Sequence, residues 1–179
     1  MLNVENVVLV VVDVQGKLAQ VMQDKESLFA NLRRMIRGAQ LLELPILWCE
    51  QNPAGLGPTT PEIAELLTSQ TAVTKMSFSC FGSEAFQQAL AATGRKQVLV
   101  TGIEAHVCVY LTAADLVKAG YEVEVVADAV SSRSSENKRI GLDKITRLPA
   151  GVTNTETALF ELLRTAAHPR FKEVAKLLK

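Results

Sequence analysis

From Val7 to Val12 the chain reads Val-Val-Leu-Val-Val-Val, with no polar residue interrupting it. A strand with one wet face alternates, so an unbroken β-branched run describes a strand covered on both faces, as in a parallel sheet. Asp13 stands where that strand would end. Beyond it the period changes. From Ser27 to Leu42 the apolar residues Leu28, Phe29, Leu32, Met35, Ile36, Ala39 and Leu42 recur at helical intervals, and Pro45 forbids continuation, which predicts a helix. Ile46 to Glu50 predicts a second strand. Gln51 to Pro61 is dense in proline and glycine and predicts a loop, with Pro61 opening a short helix through Leu67.

Ala72 to Lys75 predicts a third strand, Met76 to Gly82 a loop carrying Phe78 and Phe81, Ser83 to Ala92 a helix, and Gln97 to Thr101 a fourth strand. That strand passes Gly102 into a stretch of helical spacing, with Leu111, Leu116 and Val117 facing inward, until Gly120 stops it. Glu122 to Ala127 predicts a fifth strand, Asp128 to Ser135 a loop, and Asn137 to Arg147 a helix. Gly151 to Asn154 reads as a short edge strand, followed by closing helices over Thr155 to Thr165 and Phe171 to Leu178. Strands alternating with helices predict an α/β fold with a parallel sheet and helices on both faces. Ligands in such sheets bind beyond the C-terminal strand ends, where the strand order reverses. With six strands in the order 3-2-1-4-5-6, that point lies between strands one and four, which end at Asp13 and just before Cys108.

Totals narrow the function classes. The 179 residues fit one domain spanning 1–179, and 19 basic residues balance 19 acidic ones. No basic stripe points to nucleic acid or a membrane surface, so a neutral small-molecule substrate or another protein surface is the expected partner. Cys49, Cys80 and Cys108 are an odd number without metal-ligand spacing, which predicts neither a disulfide framework nor a zinc site and fits a reducing compartment. The N-terminal stretch has no basic segment before its apolar run, so a cytoplasmic protein is expected.

Three titratable groups follow strand ends: Asp13, Lys75 and Cys108. Each has a plain structural reading as a helix cap, a solvated lysine and a core thiol, but the predicted sheet brings all three to one crevice. There Asp13 can accept a proton, Lys75 can hold the carboxylate and lower the thiol pKa, and the backbone amides from Glu104 to Cys108 can bind an oxyanion. Placement of Cys108 in the first turn of a helix favours a thiolate. Phe78, Phe81 and Trp48 are candidates to line an apolar pocket, and Gln15 and Gln51 to orient a substrate amide. His106 reads as a surface group, Cys49 and Cys80 as inert.

Four segments carry a resemblance: Val11-Val-Asp13-Val-Gln15, Lys75-Met-Ser-Phe78-Ser-Cys-Phe81, Thr101-Gly-Ile-Glu-Ala-His-Val-Cys108-Val, and Val126-Ala-Asp128-Ala-Val-Ser-Ser-Arg133. Together they resemble the isochorismatase-like cysteine hydrolases, which include nicotinamidases and N-carbamoylsarcosine amidohydrolase. The resemblance implies a three-layer αβα sandwich, an Asp13, Lys75, Cys108 triad, a non-proline cis peptide at Ile103-Glu104, and a homo-oligomer. Glu50 to Ile63 and His168 to Lys172 are most similar to the isochorismatase domain-containing proteins of unassigned substrate. Where nicotinamidases carry a metal-binding Asp-x-His pair, this chain has Glu50-Gln51-Asn52, and it holds two histidines in all, so no metal or other cofactor is expected. The expected activity is a metal-independent cysteine hydrolase acting on an amide or related C-N bond. Two alternatives stand beside it: a non-catalytic or redox-sensing protein with an activated Cys108, and nicotinamidase or isochorismatase activity proper.

Overall fold

The computed structural model describes residues 1–179. Six strands form one sheet: β1 (Val7–Val12), β2 (Ile46–Gln51), β3 (Val73–Lys75), β4 (Gln97–Ile103), β5 (Glu122–Ser131) and β6 (Gly151–Thr153). Their order is 3-2-1-4-5-6, and every pairing between neighbours is parallel. The helices are α1 (Gly16–Gln20), α2 (Lys25–Leu41), α3 (Pro53–Leu56), α4 (Pro61–Ala64), α5 (Glu84–Ala92), α6 (Tyr110–Lys118), α7 (Ser135–Ile145), α8 (Thr155–Leu163) and α9 (Phe171–Leu177).

The apolar run of β1 is explained by two cores, one on each face of the sheet. Val7, Leu9 and Val11 pack with Leu32, Met35 and Ile36 of α2, Leu159 of α8 and Val174 of α9. Val8, Val10 and Val12 pack with Phe86 and Leu90 of α5, Leu116 of α6 and Ile145 of α7. Each such side chain fully removed from water contributes roughly 1.5–3 kcal/mol. Helices therefore cover both faces, and the crevice opens where connections from β1 and β4 part to opposite sides. Between these strands Gly102 is required: its φ is +109°, and a Cβ there would lie 2.1 Å from the Val12 carbonyl oxygen.

Four expectations are corrected. β5 continues to Ser131, because beyond a register shift near Val100 and Gly102 the segment Val130–Ser131 pairs with Gly102–Ile103. The expected loop after Gln51 contains α3, opened by Pro53. The helix-cap reading of Asp13 fails, because α1 begins at Gly16 with Gln15 as its N-cap and no side-chain cap hydrogen bond. Finally, Leu111 is 36% exposed, whereas Leu116 is buried as expected. Between β4 and α6 runs one π-helical turn, Ala105–Val109. Its wider winding rotates the following helix relative to the phase read from the strand.

Candidate active site

The backbone delivers four polar side chains to the crevice. Asp13 follows β1, Gln51 and Lys75 end β2 and β3 as register partners, and Cys108 lies in the π-helical turn after β4. The Lys75 side chain is fully buried, and its ammonium is matched donor for acceptor. It donates to Asp13 Oδ2 at 2.7 Å and to the carbonyls of Ser77 and Phe78 at 3.0 Å each. Asp13 Oδ1 is buried and has no partner. The Cys108 thiol donates to Gln51 Oε1 at 3.3 Å.

Electrostatics set the protonation states. Burial raises the Asp13 pKa above its ordinary value, against the opposing pull of Lys75. For Lys75, burial works against the charge, but the Cys80 and Asp13 groups outweigh it and hold the pKa above that of an ordinary lysine. The Cys108 thiol is pushed up by burial first and by the neighbouring Asp13 charge second, with Lys75 opposing. The thiol is therefore neutral at rest, contrary to the thiolate expected from a first-turn position. A helix end offers a partial charge, whereas burial beside a carboxylate penalises a full one.

The peptide bond Ile103-Glu104 is cis. The turn that follows wraps the Glu104 carbonyl, which accepts from Val107 N–H at 3.0 Å and Val109 N–H at 3.2 Å. The Glu104 side chain points to Arg133, accepting on Oε1 from its backbone N–H and its Nε, both at 3.1 Å. A cleft of about 290 Å³ opens above Cys108, Asp13, Gln51, Glu104 and Arg133, walled by Leu18, Leu56, Phe78, Ile103 and Val107.

A family model described as the isochorismatase domain matches residues 7–157. The chain belongs to the isochorismatase domain family. Isochorismatase domain-containing protein 2 of Danio rerio is 38% identical over 179 residues, covering 99% of this chain and 89% of that protein. Among solved structures, the MAR1 ribonuclease of Caenorhabditis elegans is 36% identical with a TM-score of 0.92, covering 99% of this chain and 91% of that one. YcaC of Escherichia coli, described as an octameric hydrolase of unknown specificity, superposes with a TM-score of 0.93 over 99% of this chain and 88% of its own at 23% identity, which speaks for the fold.

Within this isochorismatase domain the structure separates the residues singled out in the sequence. Asp13, Lys75, Cys108, Gln51, Glu104 and Phe78 come together. Gln15 does not reach the cleft: it is fully buried, and its carboxamide is spent on the Gln51 peptide and the Gly57 carbonyl. Trp48 does not line the cleft: it packs into the α2 core, with Nε1 donating to Thr59 Oγ1 at 2.7 Å. Phe81 packs edge-on against Tyr121, with ring centroids 6.1 Å apart. His106 is half-buried and bonded to Ser132 Oγ at 3.0 Å. Arg133 is the polar lining residue that sequence reasoning missed, although the Ser-Ser-Arg133 segment carried part of the family resemblance. Leu18, Leu56, Ile103 and Val107 have no signal beyond being apolar.

The residues at the position of the nicotinamidase metal ligands do not fit a metal. Glu50 Oε1 already accepts from Thr59 N–H at 2.6 Å and Thr59 Oγ1 at 2.7 Å, and no three His, Cys, Asp or Glu side chains cluster as ligands.

Proposed function

We propose that this isochorismatase-like hydrolase is a metal-independent cysteine enzyme that cleaves the C-N bond of a small amide through a covalent acyl-enzyme. One observation carries the reading: a thiol, an unpartnered buried carboxylate oxygen and a fully matched ammonium meet at the floor of one cleft. In this scheme the Cys108 sulfur attacks the carbonyl carbon as its proton passes to Asp13 Oδ1. Backbone N–H groups of the Glu104 to Cys108 turn receive the negative charge that develops on the carbonyl oxygen. The C-N bond breaks as Asp13 returns the proton to the departing nitrogen, and water, deprotonated by Asp13, then releases the acid and regenerates the thiol. Lys75 keeps Asp13 oriented and compensates its charge throughout.

The cleft favours a small molecule over a nucleic acid strand. Its walls are largely apolar, its volume is near the lower limit for small-ligand sites, and the cation in its wall, Arg133, is engaged by Glu104 while the Lys75 ammonium below is spent on Asp13 and two carbonyls. The C. elegans relative is described as a ribonuclease, but an RNA site needs a cationic track along which successive bases stack, and this mouth offers one exposed aromatic, Phe78, and no run of cations. Homo-oligomeric assembly and a reducing, cytoplasmic location accompany the proposal, in keeping with the octameric YcaC and three free thiols.

The test is incubation with a panel of small amides, followed by mass spectrometry of the intact protein and of product. The expected result is a substrate-derived acyl mass on Cys108 and turnover that Cys108→Ala abolishes. Full activity in Cys108→Ala on an identified amide overturns the mechanism. Oxidised Cys108 without any acyl adduct supports the redox-sensor alternative.

A further inference from the structure

The catalytic cleft has a second compartment beside it. A groove of about 490 Å³ lies between α1 and α3, lined by Gly16, Lys17, Ala54, Gly55 and Gly57. Leu18 and Leu56 line both this groove and the cleft that holds Cys108. They stand as a partition between the two spaces. We propose that Leu18 and Leu56 determine specificity by limiting the length of substrate chain the cleft accepts, so that small amides are admitted and longer apolar chains are excluded. This inference rests on the amide-hydrolase reading and names the size class of its substrate.

A partition filters by size only if it cannot yield, and here the backbone on both sides is fixed. Gly16 has φ +45°, and a Cβ on it would lie 2.1 Å from the Leu56 carbonyl oxygen, so α1 and α3 meet in direct backbone contact. Gly16 N–H donates to the Pro58 carbonyl at 3.0 Å, and Thr60 N–H to the Val14 carbonyl at 2.9 Å. The fully buried Gln15 carboxamide closes the junction. Its Nε2 donates to the carbonyls of Gln51 at 3.0 Å and Gly57 at 2.8 Å, while its Oε1 accepts from Gln51 N–H at 2.7 Å. Leu56 is thus carried on a segment that follows β2 directly and is held on its far side to the Val14–Gly16 turn after β1, with the Gln15 side chain bridging Gly57 to Gln51. Swinging it aside breaks several part-buried hydrogen bonds at once. Leu18 and Leu56 are the two residues that line both the thiol's cleft and the groove.

The experiment uses the full-length protein and a homologous series of N-alkyl 2-iodoacetamides, from N-methyl to N-hexyl. In each reaction the Cys108 sulfur displaces iodide and its proton leaves to solvent. Cys49 and Cys80 are fully buried, and peptide mass mapping locates the label. Wild-type labelling is expected to slow by about tenfold or more along the series, in line with the penalty for methylenes that do not fit a pocket. Leu18→Ala and Leu56→Ala are each expected to abolish most of that discrimination; the readout is the long-to-short rate ratio within one protein, so a general change in thiol reactivity cancels. Leu18→Val and Leu56→Val serve in place of any alanine variant that fails to fold. A wild-type ratio near one, or variants that keep the wild-type ratio, overturns the partition. Because labelling needs no turnover, a protein that shows the expected ratios yet hydrolyses no amide refutes the hydrolase reading alone.

Discussion

Replacing Lys75 by methionine tests the core of the site. The lysine side chain has no exposure and its ammonium lies 2.7 Å from Asp13 Oδ2. At an effective dielectric constant near 20, two unit charges at that distance attract by about 6 kcal/mol, from which the cost of burying both must be subtracted. Removing one partner of a buried pair strands the other, and the usual loss is about 3–5 kcal/mol. The carbonyls of Ser77 and Phe78 lose their donor in the same step. Lys75→Met is therefore expected to destabilise the protein by about 3–5 kcal/mol, whereas Lys75→Met combined with Asp13→Leu removes both charges and recovers much of that loss. Urea unfolding followed by the fluorescence of Trp48, the single tryptophan, measures both. With a slope of about 2 kcal/mol per molar urea, the single substitution moves the midpoint by roughly 2 M. A loss under about 1 kcal/mol, the scale of an exposed ion pair, would falsify this account. So would a double variant whose loss equals the sum of the two singles, because residues in direct contact must show coupling.

The remaining predictions concern pH and geometry. In the proposed mechanism Asp13 is ionised to take the thiol proton, and burial raises its pKa above 3.8, so kcat/KM is expected to fall with decreasing pH at a value above that of an ordinary carboxyl; an acid limb at or below 3.8 contradicts the assignment. The Cys108 and Cys49 pKa values are both raised above 9.0, so above that pH the unfolded chain releases thiol protons that the folded protein retains. Stability must then decline as pH rises past about 9, and Cys108→Ser should reduce the slope in urea titrations across that range. Gly141→Ala places a Cβ 2.6 Å from the Ala105 carbonyl carbon and 2.7 Å from His106 N; it should cost about 1–3 kcal/mol by overpacking and slow Cys108 alkylation, and an unchanged rate would show that the π-helical turn is not held by α7. Phe78 is 56% exposed at the cleft mouth, so Phe78→Ala should alter KM while leaving stability within about 0.5 kcal/mol.

How much of this was legible depends on what each residue's signal encodes. The β1 run reported burial on both faces, and with the alternation of elements that was enough for a parallel sheet with helices on both sides; the strand order entered as a condition that the observed pairing satisfies. The same order placed Asp13, Lys75 and Cys108 at one crevice. The extension of β5 was hidden because Asp128, Ser131 and Ser132 interrupt the apolar run around Ala129 and Val130, and what draws the segment into the sheet is pairing with Gly102 and Ile103, a tertiary effect. Trp48 and Gln15 were misassigned for a related reason. Their positions beside the site were correct, but the face each side chain occupies is set by the pleat opposite Val11 and by the turn after Asp13. Leu111 failed through phase, since a π-helical turn inserted between strand and helix leaves no mark in apolar spacing.

The neutral thiol changes what the three residues must accomplish. If Cys108 rested as a thiolate beside ionised Asp13 and Lys75, the buried site would carry a net negative charge, which its low-dielectric surroundings penalise. With a neutral thiol, an ionised Asp13 and a charged Lys75, the net charge is zero. Moving the proton from sulfur to Asp13 Oδ1 leaves it at zero, since the negative charge passes from carboxylate to sulfur while Lys75 remains positive. The step redistributes charge within a compensated group, and Lys75, fixed by three acceptors, stays in place to receive it in either location. Under the proposed mechanism Lys75 contributes more to making the nucleophile than to storing it. Its loss should therefore depress the rate of Cys108 alkylation at neutral pH even in the charge-free Lys75→Met, Asp13→Leu background, where the fold is restored but no base or counter-charge remains.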